Sequence, residues 1–504
     1  MVTPSPRAGR HLTRVSVDAG EAPPPAPAPS ARGVTVSASI QVLVRVACAL
    51  AGVVVAAILS RHLGDAGFGY FSTALAIIAI AVALGDLGLN STAMSRMAAH
   101  PRARSETLGA LLTAQALLLS VALAPSLAAV WLVLPPGEPR VAGALICLTI
   151  PFSLSSAYSA AAQSQLRILV VTVLTALGSA VWLALVIALA ASGASLAWVA
   201  TAFLASSVAL AAITVLVCRR HCRPVWAGAG RRAGSLLRAA APLGFSAVLT
   251  TLYYRLDGIL LLHIGGAAAA GHYSAAYRFL DTLQILPATL FGVLLPIVSQ
   301  RIAAGQPIQQ LFGLSLRLSA AISLPIAAVG AFVAPETMTL IYSSEFREGA
   351  RPLAVLLFSF PMIFLGYISS GLLIAAGRRR PLWVVSLIAL LASLPVVWIL
   401  IAAHGATGAA LGTVLVEVFV GCTLLAIAAR HLALRLPWGG LLRIGVACLV
   451  AVFPLALYRP DRLGGLLALV VLAAVIYLAC LVLSGAVTRQ DLEVLSSRRV
   501  VLDA

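Results

Sequence analysis

Long runs of apolar residues, joined by short polar segments, fill the sequence from residue 34 to residue 487. A hydrocarbon core about 30 Å thick is crossed by about 20 helical residues, because each residue adds about 1.5 Å. Fourteen runs are long enough, at approximately 36–60, 67–90, 107–133, 141–163, 167–191, 195–218, 240–264, 272–297, 311–335, 352–376, 381–403, 406–429, 439–457 and 463–485. The pattern predicts an all-α, polytopic integral membrane protein with 14 transmembrane helices.

The composition agrees with a membrane protein and gives its orientation. The chain is 61% hydrophobic and 10% charged, with a net charge of +18, and all 34 basic residues are Arg. Alternate connections, counted from the N-terminal tail, contain 25 Arg, the opposite connections contain six, and three lie inside predicted helices. Because Arg accumulates on the cytoplasmic side, both termini are predicted to be cytoplasmic. The basic excess is therefore a topology signal, and no nucleic-acid partner is expected.

Both ends of the chain differ from the apolar middle. Residues 1–33 contain the run EAPPPAPAPSARG, and residues 488–504 are polar again. A Pro-rich stretch without apolar periodicity favours a disordered segment. We expect a disordered cytoplasmic tail over 1–33 and a short cytoplasmic tail over 488–504.

An internal repeat of about 200 residues links two parts of the chain. The segment HLGDAGFGYFSTA from His62 aligns with HIGGAAAAGHYSAA from His263 after one insertion. Six predicted helices separate the equivalent positions, an even number, so the two halves are parallel repeats that form lobes with a substrate path between them. The prediction is an N-lobe at 34–232, a C-lobe at 233–432, and two extra helices at 433–487.

Four charged residues lie within the apolar hairpin of predicted helices 7 and 8. They are Arg255, Asp257, Arg278 and Asp281. A turn near 265–271 puts Arg255 and Asp281 at a depth of about 15 Å and Asp257 and Arg278 slightly nearer the turn, so opposite charges lie at matched depths. A lone charge at the bilayer centre costs roughly 2.5–3.5 kcal/mol. Two interpretations remain open, a polar cavity at the lobe interface or static ion pairs that hold the two helices together.

Several segments resemble one family of transporters. They are ILSRHLGDAGFGYFSTALAI at 58–77, GDLGLNSTAMSRMAA at 85–99, APLGFSAVLTTLYYRLDGILL at 241–261, GHYSAAYRFLDTLQILPATLFGVLLPIVSQR at 271–301 and LPIAAVGAFVAPETMTLIYSSEF at 324–346. The chain resembles the polysaccharide and oligosaccharide flippases of the multidrug/oligosaccharidyl-lipid/polysaccharide exporter superfamily.

The resemblance implies a function in the bacterial plasma membrane. Such a flippase moves a lipid-linked oligosaccharide, a polyprenyl-pyrophosphate sugar, from the inner to the outer leaflet by alternating access. The implied partners are this substrate, membrane lipids, a polysaccharide polymerase and the export machinery, and no cofactor is expected. The planar guanidinium group suits a pyrophosphate, and tyrosine rings stack on sugars or simply pack. The predicted substrate-binding residues are Arg45, Arg255, Arg278, Tyr253 and Tyr277.

Four acidic residues are candidates for ion coupling or for lining the cavity. They are Asp86, Asp257, Asp281 and Glu417. Glu417 falls near the middle of predicted helix 12, where an isolated carboxyl group either couples to an ion or forms a hydrogen bond between helices. Cys218, His221 and Cys222 form the only Cys/His cluster and lack further ligands, so no metal site is predicted.

Other functions are the alternatives to a polysaccharide flippase. A lipid II flippase or a multidrug cation exporter of the same superfamily shares the predicted fold. A membrane glycosyltransferase or polymerase usually needs a large external loop, whereas the longest predicted external connection is 336–351. The sequence contains no nucleophile elbow or phosphate-binding loop. A transporter is therefore expected, and an enzyme is not.

Overall fold

The computed structural model describes residues 31–457 and 463–485, and every regular element within them is helical. In chain order the α-helices are α1 Ala31–Asp86, α2 Leu89–Ala99, α3 Arg104–Val133, α4 Glu138–Cys147, α5 Ser156–Gln163, α6 Ile168–Ala191, α7 Leu196–Cys218, α8 Ala229–Leu283, α9 Ile285–Ala303, α10 Gln309–Phe332, α11 Ala334–Ile341, α12 Ala350–Leu357, α13 Ser359–Ala375, α14 Arg380–His431, α15 Trp438–Leu457 and α16 Leu463–Leu483. The predicted tails lie outside the described residues, except that 31–33 already belong to α1, where the tail was expected to continue.

Eleven helical stretches among the described residues are long and apolar enough to cross a membrane. Three of the longest helices are interrupted by a glycine with positive φ, Gly64 in α1, Gly266 in α8 and Gly405 in α14. Glycine tolerates this conformation because it has no Cβ. The predicted all-helical, multi-pass membrane fold is confirmed, and the count of fourteen crossings stays a prediction.

The glycine breaks in α8 and α14 reverse the chain direction. In α8, Arg255 contacts Asp281 across the break at Gly266, which falls inside the predicted 265–271 turn. In α14, Gly408 and Leu400 lie on opposite sides of the break at Gly405. Their backbones are so close that a Cβ added at Gly408 would overlap the carbonyl oxygen of Leu400. We therefore describe each of the three long helices as two arms, 31–63 and 65–86 in α1, 229–265 and 267–283 in α8, and 380–404 and 406–431 in α14.

Two predicted helices are discontinuous rather than continuous. The predicted span 141–163 consists of α4, a 3₁₀ helix at Ile150–Ser155 and α5. Pro151 lacks the N–H group that a regular α-helix would use at this point, which explains the tighter turn. The predicted span 352–376 likewise consists of α12 and α13, which meet at Phe358.

The predicted N-lobe and C-lobe contact each other through the second arm of α1 and both arms of α8. At the end of the bundle that contains Gly64 and Gly266, here called the kink end, a Cβ added at Gly69 would overlap the carbonyl oxygen of Ala267. A Cβ added at Gly271 would overlap the carbonyl oxygen of Asp65. These contacts are reciprocal between repeat-equivalent positions, the pattern that a two-fold axis produces. The predicted lobe boundaries stay predictions.

Aromatic side chains and an Arg strengthen the kink end. Phe68 of α1 packs edge-on against Phe346, with ring centroids 6.0 Å apart. The guanidinium group of Arg61 donates to the carbonyl oxygens of Tyr342 and Leu340, the latter at 2.6 Å. Because the last carbonyls of α11 lack helical partners, a cation there is favourable. The first lobe is thus attached to the second by both packing and hydrogen bonds.

The opposite end of the lobe interface, here called the loop end, is also closed. A Cβ added at Gly88 would lie 3.0 Å from the Cα atom of Gly244, and one added at Gly244 would overlap the carbonyl of Leu87. Beside this contact, α2 buries Leu89 in an apolar cluster with Leu236 of α8. The interface therefore has close backbone contacts at both ends, with space left between them.

Candidate functional site

A cavity of about 220 Å³ lies between the second arm of α1 and both arms of α8. Its lining residues are Ser72, Leu75, Ala76, Ala79, Tyr254, Arg255, Asp257, Gly258, Tyr273, Ser274, Tyr277, Arg278 and Asp281. We call it the central cavity. The four charges of the predicted hairpin all line it, and so does Tyr277, one of the two tyrosines predicted to contact substrate.

Arg255 and Asp281 form a two-pronged ion pair in the central cavity. The guanidinium nitrogens Nη1 and Nη2 donate to Oδ2 and Oδ1 at 3.2 and 3.3 Å. The Arg255 side chain is 32% exposed and also lies over the ring of Tyr277, 5.6 Å from its centroid. The pair links the two arms of α8, as the ion-pair interpretation predicts, while both side chains remain open to the cavity.

Asp257 is the most enclosed charge of the four, at 4% exposed. Its carboxylate accepts hydrogen bonds from the hydroxyl of Tyr273, the hydroxyl of Thr413 at 2.9 Å and the backbone N–H of Gly258 at 2.7 Å. Three donors replace the water that a buried carboxylate loses. Asp257 therefore joins both arms of α8 to α14, and its charge is largely satisfied by the protein itself.

Arg278 is the cation of the cavity that has no ionic partner. It is half-buried and lines the cavity, but among the described residues no carboxylate lies within ion-pair distance of its guanidinium group. The hydroxyl of Tyr277, one residue away, is buried and also lacks a hydrogen-bond partner in the described part of the chain. A guanidinium group with free donors is suited to a bidentate anion.

A second cavity, of about 510 Å³, adjoins the central cavity toward the loop end. It shares Ala79 and Arg255 with the central cavity, and we call it the loop-end cavity. Its polar lining residues are Asp86, Asn90, Gln115, Ser153, Ser156, Thr251 and Arg255. Asp86, predicted as a cavity acid, therefore lies in this second space, away from the other three acids.

A third cavity, of about 300 Å³, lies inside the C-lobe between α8, α9, α13 and α14. Glu417 faces it and is 2% exposed, with no partner for Oε1 among the described residues. Tyr253 lines this cavity instead of the central one, and Tyr254 lines both. Since the Tyr254 hydroxyl lies next to the Glu417 carboxyl, this ring connects the two spaces.

Arg45 lies apart from the other predicted residues. It is exposed on the first arm of α1, and it lines none of the three cavities described above. Nineteen residues separate it from Gly64, which corresponds to about 28 Å of helix. Arg255 is only eleven residues from Gly266, or about 17 Å, so the two Arg residues differ in depth.

The pattern of charged residues in the sequence did not identify three polar residues of the site. Asn90, Gln115 and Thr413 are uncharged, yet each bonds to an acidic residue of the cavities. Gln115 had a usable signal, because it is the only amide in the apolar run 107–133. No group of three His, Cys, Asp or Glu side chains in the described part of the chain could hold a metal ion.

The comparisons with known proteins agree with this architecture. The polysaccharide biosynthesis protein family matches residues 31–301, and the MatE family matches residues 242–399. No curated protein matches the sequence significantly.

Solved structures of transporters share the fold. The lipid II flippase MurJ in an inward closed conformation superposes with a TM-score of 0.73 at 12% identity, covering 88% of this chain and 98% of MurJ. An inward-facing multidrug resistance MATE transporter gives 0.60 at 14% identity over 79% and 98% of the two chains. A Vibrio cholerae MATE transporter gives 0.57 at 17% identity, with the same coverage. Since the family match covers more than half of the chain, the protein belongs to the polysaccharide biosynthesis protein family.

Proposed function

We propose that the protein is a flippase for a lipid-linked oligosaccharide, a polyprenyl-pyrophosphate sugar. It moves this substrate from the inner to the outer leaflet of the bacterial plasma membrane, with both termini in the cytoplasm. A polysaccharide polymerase and the export machinery then use the product. The main support is Arg278, a half-buried cation without an ionic partner, in a cavity between two lobes.

The chemistry of the substrate fits the cavity. A pyrophosphate offers several oxygens to Arg278, and Arg255 can share its donors between Asp281 and the ligand because its side chain remains partly exposed. Sugar hydroxyls need polar groups along the path, whereas the polyprenyl chain can stay in the surrounding lipid. The headgroup therefore crosses in a shielded polar space without exposing charge to hydrocarbon.

The closed contacts at both ends support alternating access between the lobes. Each end is closed by glycine backbone, at Gly69 and Gly271 on one side and at Gly88 and Gly244 on the other. Opening one contact while the other holds would expose the central cavity to one side of the membrane at a time. In the proposed topology, the kink end faces outward and the loop end faces the cytoplasm.

The unpaired Arg278 argues against export of cationic drugs. A cation in the central cavity would meet the guanidinium group of Arg278, which has no ion-pair partner among the described residues, and an unpaired like charge discriminates against a ligand. Lipid II is also a polyprenyl-pyrophosphate compound, so it satisfies Arg278 equally well. A transport assay therefore has to compare lipid II with other lipid-linked sugars.

Glu417 supports a proposal for ion coupling. Its carboxyl group is buried inside the C-lobe, has an oxygen without a partner among the described residues, and lies beside Tyr254, which also lines the central cavity. Binding of a proton or sodium ion at Glu417 would change the charge next to this shared ring. Two of the other predicted acids, Asp257 and Asp281, are less available because they already have partners.

Transfer between leaflets in proteoliposomes tests the proposed flippase. The substrates are fluorescent undecaprenyl-pyrophosphate oligosaccharides, lipid II and a fluorescent organic cation. We expect transfer of at least one oligosaccharide, a strong loss in Arg278→Gln, and partial activity in Arg278→Lys, which keeps the charge but not the planar fork. The matched control is Arg231→Gln, since Arg231 is exposed and lines none of the three cavities. Transport of the organic cation alone, or normal oligosaccharide transfer by Arg278→Gln, would overturn the proposal.

A further inference from the structure

Gln115 is a buried amide whose orientation is determined by its neighbour. It is 2% exposed, and its Nε2 atom donates to Oδ1 of Asp86 at 3.2 Å. A carboxylate can only accept, so the nitrogen must point to Asp86 and the oxygen away from it. That oxygen, Oε1, is buried and has no hydrogen-bond partner among the described residues. Gln115 lines the loop-end cavity, so this unpartnered acceptor lies in the cavity wall.

Asn90, on the neighbouring helix α2, also contacts Asp86 and has an amide oxygen without a partner among the described residues. Its backbone N–H donates to Oδ1 of Asp86 at 3.1 Å, and its Nδ2 atom donates to the hydroxyl oxygen of Ser156 at 3.0 Å. Its own Oδ1 is buried without a partner in the described part of the chain. Both hydrogen bonds to Asp86 use the same carboxylate oxygen, which leaves Oδ2 without a hydrogen bond from the described residues.

The wall of the loop-end cavity therefore contains three acceptors that receive no hydrogen bond from the described residues. They are the buried Oε1 of Gln115, the buried Oδ1 of Asn90 and Oδ2 of Asp86. Leaving a buried acceptor unpaired is unfavourable, so a ligand that supplies donors is favoured. Sugar hydroxyls supply several neutral donors on a rigid ring, and a cavity of about 510 Å³ has room for such a ring.

The charges divide the path into two parts. Arg255 stands where the central and loop-end cavities meet, Arg278 lies on the central side, and Asp86 lies on the loop-end side. A phosphate near Asp86 would be repelled, whereas a hydroxyl group would be bound. An anionic group and an uncharged polyol linked to it would consequently take opposite sides of Arg255.

We propose that Asp86, Asn90, Gln115 and Ser156 form a saccharide subsite, which holds the pyranose ring attached to the pyrophosphate. This inference rests on the proposed flippase function and adds the position and the chemistry of sugar recognition. Ser156 supplies a hydroxyl group that accepts from Asn90 and keeps its own hydrogen free for the sugar. The headgroup thus lies with its phosphates toward the kink end and its first sugar toward the loop end.

Binding to the full-length protein in nanodiscs tests the subsite with two kinds of probe. One is undecaprenyl pyrophosphate, and the other is the same lipid carrying one glucose, galactose or N-acetylglucosamine. We expect at least one sugar to tighten binding. Gln115→Leu should raise the Kd of that glycosylated lipid about three- to tenfold, the range for one hydrogen bond. It should leave the Kd of the bare lipid unchanged. The matched control Ser120→Ala, on the exposed side of the same helix, should leave both Kd values unchanged.

Other variants and outcomes separate this inference from the proposed function. Asn90→Ala serves as a second variant if Gln115→Leu folds poorly, as judged by its Tm. Equal effects of Gln115→Leu on bare and glycosylated lipid, or no effect on any glycosylated probe, would refute the subsite. So would a sodium dependence of binding that Gln115→Leu abolishes, because the oxygens would then hold a cation. Arg278→Gln should weaken binding of both the bare and the glycosylated lipid. Unchanged binding in this variant would refute the pyrophosphate site, whereas the saccharide subsite is tested separately by Gln115→Leu.

Discussion

At the scale of single residues, the polar groups of the cavities differ in how completely the protein satisfies them. Asp257 has three donors, Arg255 and Asp281 share an ion pair, and Arg278 has no carboxylate partner among the described residues. Removing a group from a saturated network leaves a buried partner unpaired and lowers stability, whereas removing a free group has little effect on folding. Stability measurements can therefore distinguish structural groups from groups available to a ligand.

Two tyrosines one helical turn apart give a matched test of this idea. The hydroxyl of Tyr273 donates to Asp257, whereas the hydroxyl of Tyr277 is buried without a partner in the described residues. We expect Tyr273→Phe to lower the free energy of unfolding by about 1–3 kcal/mol and Tyr277→Phe to leave it nearly unchanged. Thermal unfolding of the purified protein in detergent measures both. An equal loss of Tm in the two variants would contradict the assignment.

Glu417 permits a test of ion coupling at the same scale. Glu417→Gln keeps the shape of the side chain but removes the titratable group that faces the C-lobe cavity. We expect transport by the wild type to respond to a pH or sodium gradient at a fixed membrane potential, and transport by Glu417→Gln not to respond. The potential alone favours outward movement of an anion, by about 2.3 kcal/mol per charge per 100 mV. A normal gradient response in Glu417→Gln would exclude this residue as the coupling site.

At the scale of helices, glycine determines both the reversals and the close approach of the lobes. Gly64 and Gly266 let α1 and α8 turn at the kink end, and Gly69 and Gly271 let the arms beyond those turns touch through their backbones. A side chain at either contact would occupy the position of a carbonyl oxygen from the other lobe. The closed kink end thus depends on the absence of Cβ atoms at these positions.

Gly271→Ala should shift the protein toward a conformation that is open at the kink end. The added Cβ would overlap the carbonyl oxygen of Asp65, so the arms must separate. In a cysteine-free background, a cysteine introduced at Ser72 of the central cavity should react faster with an impermeant thiol reagent added from outside. The control is Gly52→Ala, because nothing lies within 4 Å of a Cβ at Gly52. Unchanged reactivity at position 72 would contradict the proposed role of the glycine contact.

At the scale of the whole molecule, the two lobes meet at both ends and separate in the middle. The kink end combines glycine contacts with aromatic packing and the hydrogen bonds of Arg61, whereas the loop end combines a glycine contact with apolar packing of α2. The space between the closed ends is where a headgroup would be enclosed during transfer.

The predicted orientation in the membrane can be checked by cysteine labelling in cells. Arg231 and Arg379 are exposed near the start of α8 and of α14, and Arg347 is exposed in the 3₁₀ helix Ser344–Gly349. In a cysteine-free background, Arg347→Cys should react with an impermeant reagent from outside. Arg231→Cys and Arg379→Cys should react only after the membrane is permeabilised, because Arg accumulates in cytoplasmic loops. External labelling at 231 or 379 would refute the topology.

The sequence by itself determined the class of this protein and the depth of its charges. Runs of about 20 apolar residues require helices in a membrane, because backbone polar groups must be satisfied internally. The same helical rise predicted that Arg255 and Asp281 lie at matched depths, and the structure shows that they form an ion pair. The glycine-rich turn near Gly266 was likewise predicted, because few other residues permit such a reversal.

The tertiary structure alone decided which way the side chains point and which groups remain free. Tyr253 and Tyr254 are adjacent in sequence, yet only Tyr254 reaches the central cavity. Gln115 lies 29 residues from Asp86 and becomes its partner only when α3 packs beside α1. Helical periodicity gives the depth of a residue, but its rotation toward lipid, core or cavity depends on the packing of neighbouring helices. The free oxygens of Gln115 and Asn90 therefore depend on how α2, α3 and α5 pack together, and the free charge of Arg278 depends on the packing around the central cavity.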